Sequence, residues 1–282
     1  MRQASGAIVC PECGKLISVS EPKCPYCGAW RPGLFGWAPQ LQKLFGGRIN
    51  FTSIVVSACI ALYVASLVLD PGAIFAHPEQ MFQNLLFNFL APSGRALYQL
   101  GMTGGIAWRA GWWWTLFTAI YLHGGLLHIF FNVMWIRNLG PAVDDVYGTA
   151  RAFVIFSVAG AAGFLVSNLA TGNPTIGASG SIFGLLGALI VYGRRTHHRV
   201  LTTQLWQWAI VMFALAFVMS SVNNWAHAGG FAGGWVAGEA MRFSEEKRET
   251  PWVQLLALAL LLITLVGFVL SFYNVTMALL GR

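Results

Sequence analysis

The chain has 282 residues, 56% of them hydrophobic and only 10% charged, with a mean hydropathy of +0.62. A soluble domain carries about a quarter charged residues, so this balance excludes an ordinary soluble globule and implies an all-α polytopic membrane protein. The net charge of +7 is not a nucleic-acid footprint, because the basic residues are scattered between apolar segments rather than gathered on one amphipathic face. No nucleic-acid partner is expected.

Residues 1–30 read as a separate module. Cys10-Pro11-Glu12-Cys13-Gly14 and Cys24-Pro25-Tyr26-Cys27-Gly28 are two C-x2-C pairs, each followed by a glycine that lets backbone amides turn toward the sulfurs. Four thiolates at this spacing suit tetrahedral Zn2+, and the repeated C-P-x-C-G form resembles the knuckles of a zinc ribbon. Two disulfides are the alternative, disfavoured by the orientation below, which places this end in a reducing cytoplasm. A segment this small needs such a staple to fold. Cys10, Cys13, Cys24 and Cys27 are therefore the expected ligands of a structural zinc. Cys59, alone in an apolar segment, reads as packing. Residues 31–50, with Pro32, Gly33 and Pro39, read as a linker. The first fifty residues contain no apolar h-region, so no cleavable signal peptide is expected.

A first span is expected at about 53–69, stopped by Asp70-Pro71-Gly72. The connection 70–113 is long, and long ordered loops are more often functional than idle. Within it Phe82, Leu85, Leu86, Phe89 and Leu90 follow helical spacing, predicting an amphipathic helix at the membrane interface. Trp108, Trp112, Trp113 and Trp114 read as an aromatic belt. Further spans are expected at about 115–139, 152–170, 203–222, 226–241 and 252–280, with a shorter one at 179–193. Those fifteen residues make about 22 Å of helix against about 30 Å of hydrocarbon. A helix that short, stopped by Arg194-Arg195, must begin inside the bilayer. The irregular backbone at 173–178 is then tolerable only if buried in protein or lining a water-filled cavity.

Basic residues set the orientation. Six precede the first span, two lie in 137–151, three in 194–199 and three in 242–248, while the opposite face holds only Arg95, Arg109 and Arg282. The positive-inside rule puts the N-terminus in the cytoplasm, the C-terminus outside, and Ser179 toward the outer side of a plasma (inner) membrane.

Ser179 lies in Ile176-Gly177-Ala178-Ser179-Gly180-Ser181, with further glycines at 184 and 187. A lone serine in such a helix is ordinarily a packing residue. Here His227 opens the sixth span from the same side, and Gly230, Gly234 and Gly238 form a bare stripe able to pack against the glycines after Ser179. That packing brings an imidazole toward a hydroxyl, as activation of a serine nucleophile requires. His128 and Asn132 are four apart, so they share one helix face. Both are donors well inside an apolar segment, suited with the Ser179 N–H to holding an oxyanion. His123, five before His128, is expected to point away by roughly 140°; it is a lesser candidate. The spacing argues against a catalytic metal, and no cofactor is expected for catalysis.

These motifs together resemble the rhomboid intramembrane serine proteases: His123-Gly-Gly-Leu-Leu-His128-Ile-Phe-Phe-Asn132, Gly177-Ala178-Ser179-Gly180, and Ala226-His227-Ala-Gly-Gly230-Phe-Ala-Gly-Gly234. The resemblance implies a six-helix rhomboid core at 51–242; the loop and seventh transmembrane helix at 243–282 and the zinc module lie outside it. It also implies a Ser179–His227 dyad without a third acid, and single-span membrane proteins as substrates, cut near the outer face where their helices unwind. The chain departs from the family in having Trp114-Thr115 where Trp-Arg is usual, so Arg109 or another group must fix the first loop. It also has Asp144 where a glutamate is common. The zinc module suggests a cytoplasmic protein partner. The competing readings are an inactive relative that binds and escorts membrane helices, disfavoured by the intact Ser179 and His227, and a transporter, disfavoured by the scarcity of intramembrane acids and the lack of a repeated half.

Overall fold

Short alternating segments at the N-terminus form the only pairing among the described strands: β1 (Ala7–Val9) and β2 (Leu16–Ser18) run antiparallel with Ile8 opposite Ile17. The structure, a computed structural model, describes residues 5–10, 14–26, 28, 32–33, 37, 50–74, 89–218, 222–241 and 250–281, and divides into two units, 1–57 and 58–282. In the first unit Ile8, Cys10, Ile17, Val19 and Cys24 bury into one small core. The same turn occurs twice. Gly14 N–H donates to the Cys10 carbonyl at 2.9 Å and Gly28 N–H to the Cys24 carbonyl at 2.7 Å. Gly14 and Gly28 have φ of +71° and +68°, the left-handed region that glycine enters without steric cost. Cys13 and Cys27 lie outside the described residues, and among the described residues no group of three or more His, Cys, Asp or Glu is placed to hold a metal.

The apolar segments form helices. α1 (Phe51–Leu69) starts at a reciprocal cap, the Ser53 N–H donating to Asn50 Oδ1 at 2.9 Å and the Asn50 N–H to Ser53 Oγ at 3.1 Å. After a 3-10 turn at Pro71–Ile74, the expected interfacial helix through Phe82, Leu85 and Leu86 lies outside the described residues, and Phe89-Leu90 form a turn. The rest of the long loop is folded: α2 (Gly94–Gln99), α3 (Gly105–Arg109) and α4 (Thr115–Thr118), the last running into a 3-10 turn at Ala119–Tyr121. Then come α5 (Leu126–Tyr147), α6 (Thr149–Ala170), α7 (Ser179–Arg195), α8 (Arg199–Val218), α9 (Asn224–Ala240) and α10 (Pro251–Leu279).

The second span is not the continuous helix expected over 115–139. It bends by 93° between Thr115–Tyr121 and Leu126–Tyr147. Gly124-Gly125 explain the break: glycine is a poor helix former, and Gly125 is extended, with φ and ψ of 170°.

By length and composition, α1, α6, α8 and α10 suit a membrane crossing, and the bent segment makes a fifth if counted as one span. At 17 residues each, α7 and α9 reach about 25 Å, short of about 30 Å of hydrocarbon. The count of six plus one is therefore not established by these helices.

α7 is the centre of the second unit, packed against α5, α6, α8 and α9 and buried from Gly180 to Val191. Its glycines set that packing. A Cβ on Gly230 would collide with the Gly180 carbonyl, and one on Gly234 with the Gly184 backbone, so α7 and α9 meet backbone to backbone as small residues permit. A Cβ on Gly163 would likewise strike the Ala226 carbonyl, bringing α6 against the start of α9.

α10 closes the other side against α2, α4 and α6. Trp114 Nε1 donates to Ser271 Oγ at 3.0 Å, and Gly267 leaves room for Trp114 and Thr118. Trp114 therefore packs inside the protein rather than serving only as a belt residue.

The glycine contacts predict that Gly234→Val costs about 3 kcal/mol or more through overpacking. Gly94→Ala, where an added Cβ meets nothing within 4 Å, should stay within about 0.5 kcal/mol. Unfolding midpoints in detergent check both, and a stable Gly234→Val protein would contradict the backbone contact.

Candidate functional site

A helix that begins inside an apolar region needs partners for the chain leading into it. Residues 172–177 find them in the first loop and the 3-10 turn: Gly105 N–H donates to the Gly172 carbonyl at 2.7 Å, Thr175 N–H to the Thr103 carbonyl at 2.9 Å, and Gly177 N–H to the Ala119 carbonyl at 2.9 Å. The irregular stretch is thus paired with protein, and α7 begins at Ser179.

His227 comes from the first turn of α9. Its Nε2 lies 2.9 Å from Ser179 Oγ, hydrogen-bond distance. The His227 ring is 6% exposed, which decides that it is held by protein, whereas Ser179 is only half-buried. Phe183, one turn after Ser179, stacks on the imidazole with centroids 4.4 Å apart and planes at 30°, and Phe213 of α8 meets it edge-on at 6.2 Å. Among the described residues no hydrogen-bond partner reaches His227 Nδ1. A neutral imidazole that accepts from Ser179 at Nε2 carries its hydrogen on Nδ1.

His128 and Asn132 stand on α5 as the four-residue spacing requires. His128 Nδ1 accepts the Gly124 N–H at 3.2 Å, so a neutral His128 carries its hydrogen on Nε2. That nitrogen faces the chain just before Ser179: a Cβ built on Gly177 would sit 2.7 Å from it. Asn132 is buried, and its Nδ2 donates to the His128 carbonyl at 2.8 Å. His128 is therefore beside the chain entering the Ser179 turn, while the Asn132 amide is turned onto its own helix.

His123 departs from expectation. Its ring lies 5.1 Å from that of His128, edge to face, rather than pointing away, because the helical angle does not apply across the Gly124-Gly125 break. It is fully buried.

The position next to Trp114 also has an explanation. Thr115, fully buried, donates to the Trp112 carbonyl at 2.7 Å and lies 3.0 Å from Thr103 Oγ1, which also accepts from Asn168 Nδ2 at 3.0 Å. Thr118 donates to the Gly101 carbonyl at 2.7 Å. Hydroxyls tie the first loop here, while Arg109 is exposed. Asp144 accepts from Thr149 Oγ1 at 3.0 Å across the α5–α6 turn. Sequence reasoning did not pick out Phe183, Phe213, Thr103 or Asn223. Phe183 carried a usable signal in its one-turn spacing from Ser179, and Asn223 in standing just before an apolar run.

The site is thus a part-buried serine–imidazole contact at the start of α7, with a second histidine beside the chain that enters this helix. A family model for the rhomboid domain matches residues 110–244. The chain is 35% identical over 161 residues to rhomboid protease GluP of Bacillus subtilis (strain 168), covering 56% of this chain and 31% of that protein. It is 32% identical over 152 residues to YdcA of the same organism, covering 49% and 69%, and 30% identical over 195 residues to RHOMBOID-like protein 5 of Arabidopsis thaliana, covering 66% and 62%. The chain belongs to the rhomboid family and is a multi-pass integral membrane protein. The matched part spans about a third of GluP and of RHOMBOID-like protein 1 of Arabidopsis thaliana, 31% and 33%.

Gly177 has φ of +121° and its missing Cβ leaves the space that His128 occupies. Gly177→Ala should cost about 2 kcal/mol, read as a lowered unfolding midpoint; an unchanged midpoint would mean His128 is not seated there.

Proposed function

We propose that the chain is an intramembrane serine endopeptidase that cleaves single-span membrane proteins near the outer face of the bilayer, with Ser179 as nucleophile and His227 as its base. The observation that carries this reading is the 2.9 Å contact between His227 Nε2 and Ser179 Oγ. Ser179 Oγ attacks the scissile carbonyl carbon while its proton passes to His227 Nε2. The resulting oxyanion lies beside the N-terminus of α7, where the N–H groups of a helix's first residues have no intrahelical partner, and His128 Nε2–H and the Asn132 amide add donors. Asn132 takes part by releasing the His128 carbonyl. His227 then protonates the leaving amine, and a water deprotonated by His227 hydrolyses the acyl ester on Ser179. His123 serves this site by packing on His128.

The topology that goes with this reading has six core spans and a seventh helix, the N-terminus in the cytoplasm and the C-terminus outside a plasma membrane, following the distribution of lysine and arginine. Substrate helices reach the site within the bilayer.

The N-terminal module fits a structural Zn2+ held by Cys10, Cys13, Cys24 and Cys27. Two matching glycine turns follow Cys10 and Cys24, and both of these cysteines are buried in one core. The metal would supply folding energy rather than chemistry, and the module would dock a cytoplasmic protein partner.

Purified protein in detergent should cleave a model single-span substrate and react with a fluorophosphonate at Ser179. Ser179→Ala and His227→Ala should each lower cleavage by about 10³-fold or more. Full activity in either variant would overturn the assignment, and a wild type that binds but never cleaves would favour the escort reading.

Elemental analysis should find one zinc per chain, lost in a Cys10→Ser, Cys24→Ser double variant whose intrinsic cleavage stays within about twofold, as a folding role for the metal requires. A zinc-free wild type would refute the site.

A further inference from the structure

The reaction proposed above makes no use of Asn223, yet this residue touches the approach to both reacting groups. It caps α9: Asn223 Oδ1 accepts the Ala226 N–H at 3.1 Å, and its carbonyl accepts the His227 N–H at 3.3 Å. Its Nδ2 donates in two other directions, to Ser167 Oγ of α6 at 2.6 Å and to Thr175 Oγ1 at 3.0 Å. Thr175 stands four residues before Ser179, and Asn223 four before His227. Thr175 is fixed in turn, its N–H on the Thr103 carbonyl at 2.9 Å and its hydroxyl on the Asn173 carbonyl at 2.9 Å. One amide thus joins α6, the irregular segment entering α7 and the first turn of α9.

The chemistry is specific to asparagine. A side-chain amide offers one acceptor and two hydrogens, and here the acceptor and both donor directions are used. Serine keeps a capping oxygen but is too short to reach two hydroxyls on different elements.

This link supplies what the glycine contact lacks. Bare glycine stripes let α7 and α9 approach closely, but a surface without side chains resists sliding along the helix axis poorly. One residue of slip is about 1.5 Å, enough to break a 2.9 Å contact between His227 and Ser179. We propose that Asn223 is a positioning residue, which sets the axial register of α9 against the entry to α7 through Thr175 and so keeps His227 opposite Ser179. The inference rests on the reading of that pair as base and nucleophile.

The full-length protein tests it with Asn223→Ser, which keeps the cap, and with Thr175→Val, which removes the hydroxyl at nearly constant shape. Both should lower kcat and the rate of fluorophosphonate labelling at Ser179 by about tenfold to a hundredfold, as a misplacement of about 1 Å does, with KM within about twofold of wild type. Thr175→Ser should restore both rates. The double variant should be no slower than the worse single variant, because both break one link. Wild-type kcat and labelling in Asn223→Ser would overturn the proposal and leave only a helix cap, and so would losses that add in the double variant or follow the unfolding midpoint. A wild type that neither cleaves nor labels would instead remove the dyad reading itself, an outcome read from the unsubstituted protein alone.

Discussion

Backbone polar groups in an apolar region must find partners within the protein, and this constraint organises the second unit. Lipid offers no hydrogen bonds, so a chain that becomes helical only at Ser179 must pair the residues before it. The first loop provides that pairing through Thr103, Gly105 and the Ala119 carbonyl. This accounts for the folded helices α2 to α4 in what is formally a connection, and for the hydroxyl ties of Thr115 and Thr118 that hold it. It also leaves the N-terminus of α7 open, since the first helical hydrogen bond comes from Ile182 N–H to the Ala178 carbonyl at 2.9 Å. A serine there sits beside donors that the helix itself does not consume.

The second dependence is steric. α9 carries its histidine to α7 only because Gly230 and Gly234 meet Gly180 and Gly184 with no side chain between them. Close backbones gain dispersion contacts and bring polar groups together where no hydrophobic drive separates helix from lipid. Aromatic rings complete the arrangement: Phe183 rises from the same helix as Ser179 and lies flat on the imidazole, while Phe213 closes its edge from α8.

Much of this was legible because membrane sequences obey coarse rules. Apolar run length located α1, α6, α8 and α10 to within a few residues, and the glycine spacing announced the α7–α9 contact. What failed was periodicity carried across a break. His123 and His128 were separated on a helical wheel, but Gly124-Gly125 end the helix between them and the rings touch. Thr115 was visible only as a missing arginine, because one hydroxyl in an aromatic stretch carries no pattern; its meaning depends on Thr103, twelve residues away, and Asn168 on another helix. Long-range hydrogen bonds of this kind leave no periodic trace. In the first unit, the glycine after each C-P-x-C repeat takes a left-handed backbone, Gly14 at φ +71° and Gly28 at +68°.

Among the described residues no carboxylate bonds His227, whose environment shows how an imidazole can be oriented by packing. In the Ser-His-Asp triads of soluble enzymes an acid fixes the ring and stabilises the charge that forms on it. Inside a membrane protein an added carboxylate is itself a buried charge, and its desolvation cost exceeds what one ion pair returns unless the geometry is excellent. Stacking on Phe183 and the edge of Phe213 orients the ring without charge, and the α9 backbone anchors it through Asn223. With His227 as the base proposed above, an imidazolium there would rely on the aromatic face, whose quadrupole attracts a cation, rather than on a permanent negative group. On that proposal, orientation by packing and transient stabilisation by the ring face together would make a third acid dispensable in a site of low dielectric constant.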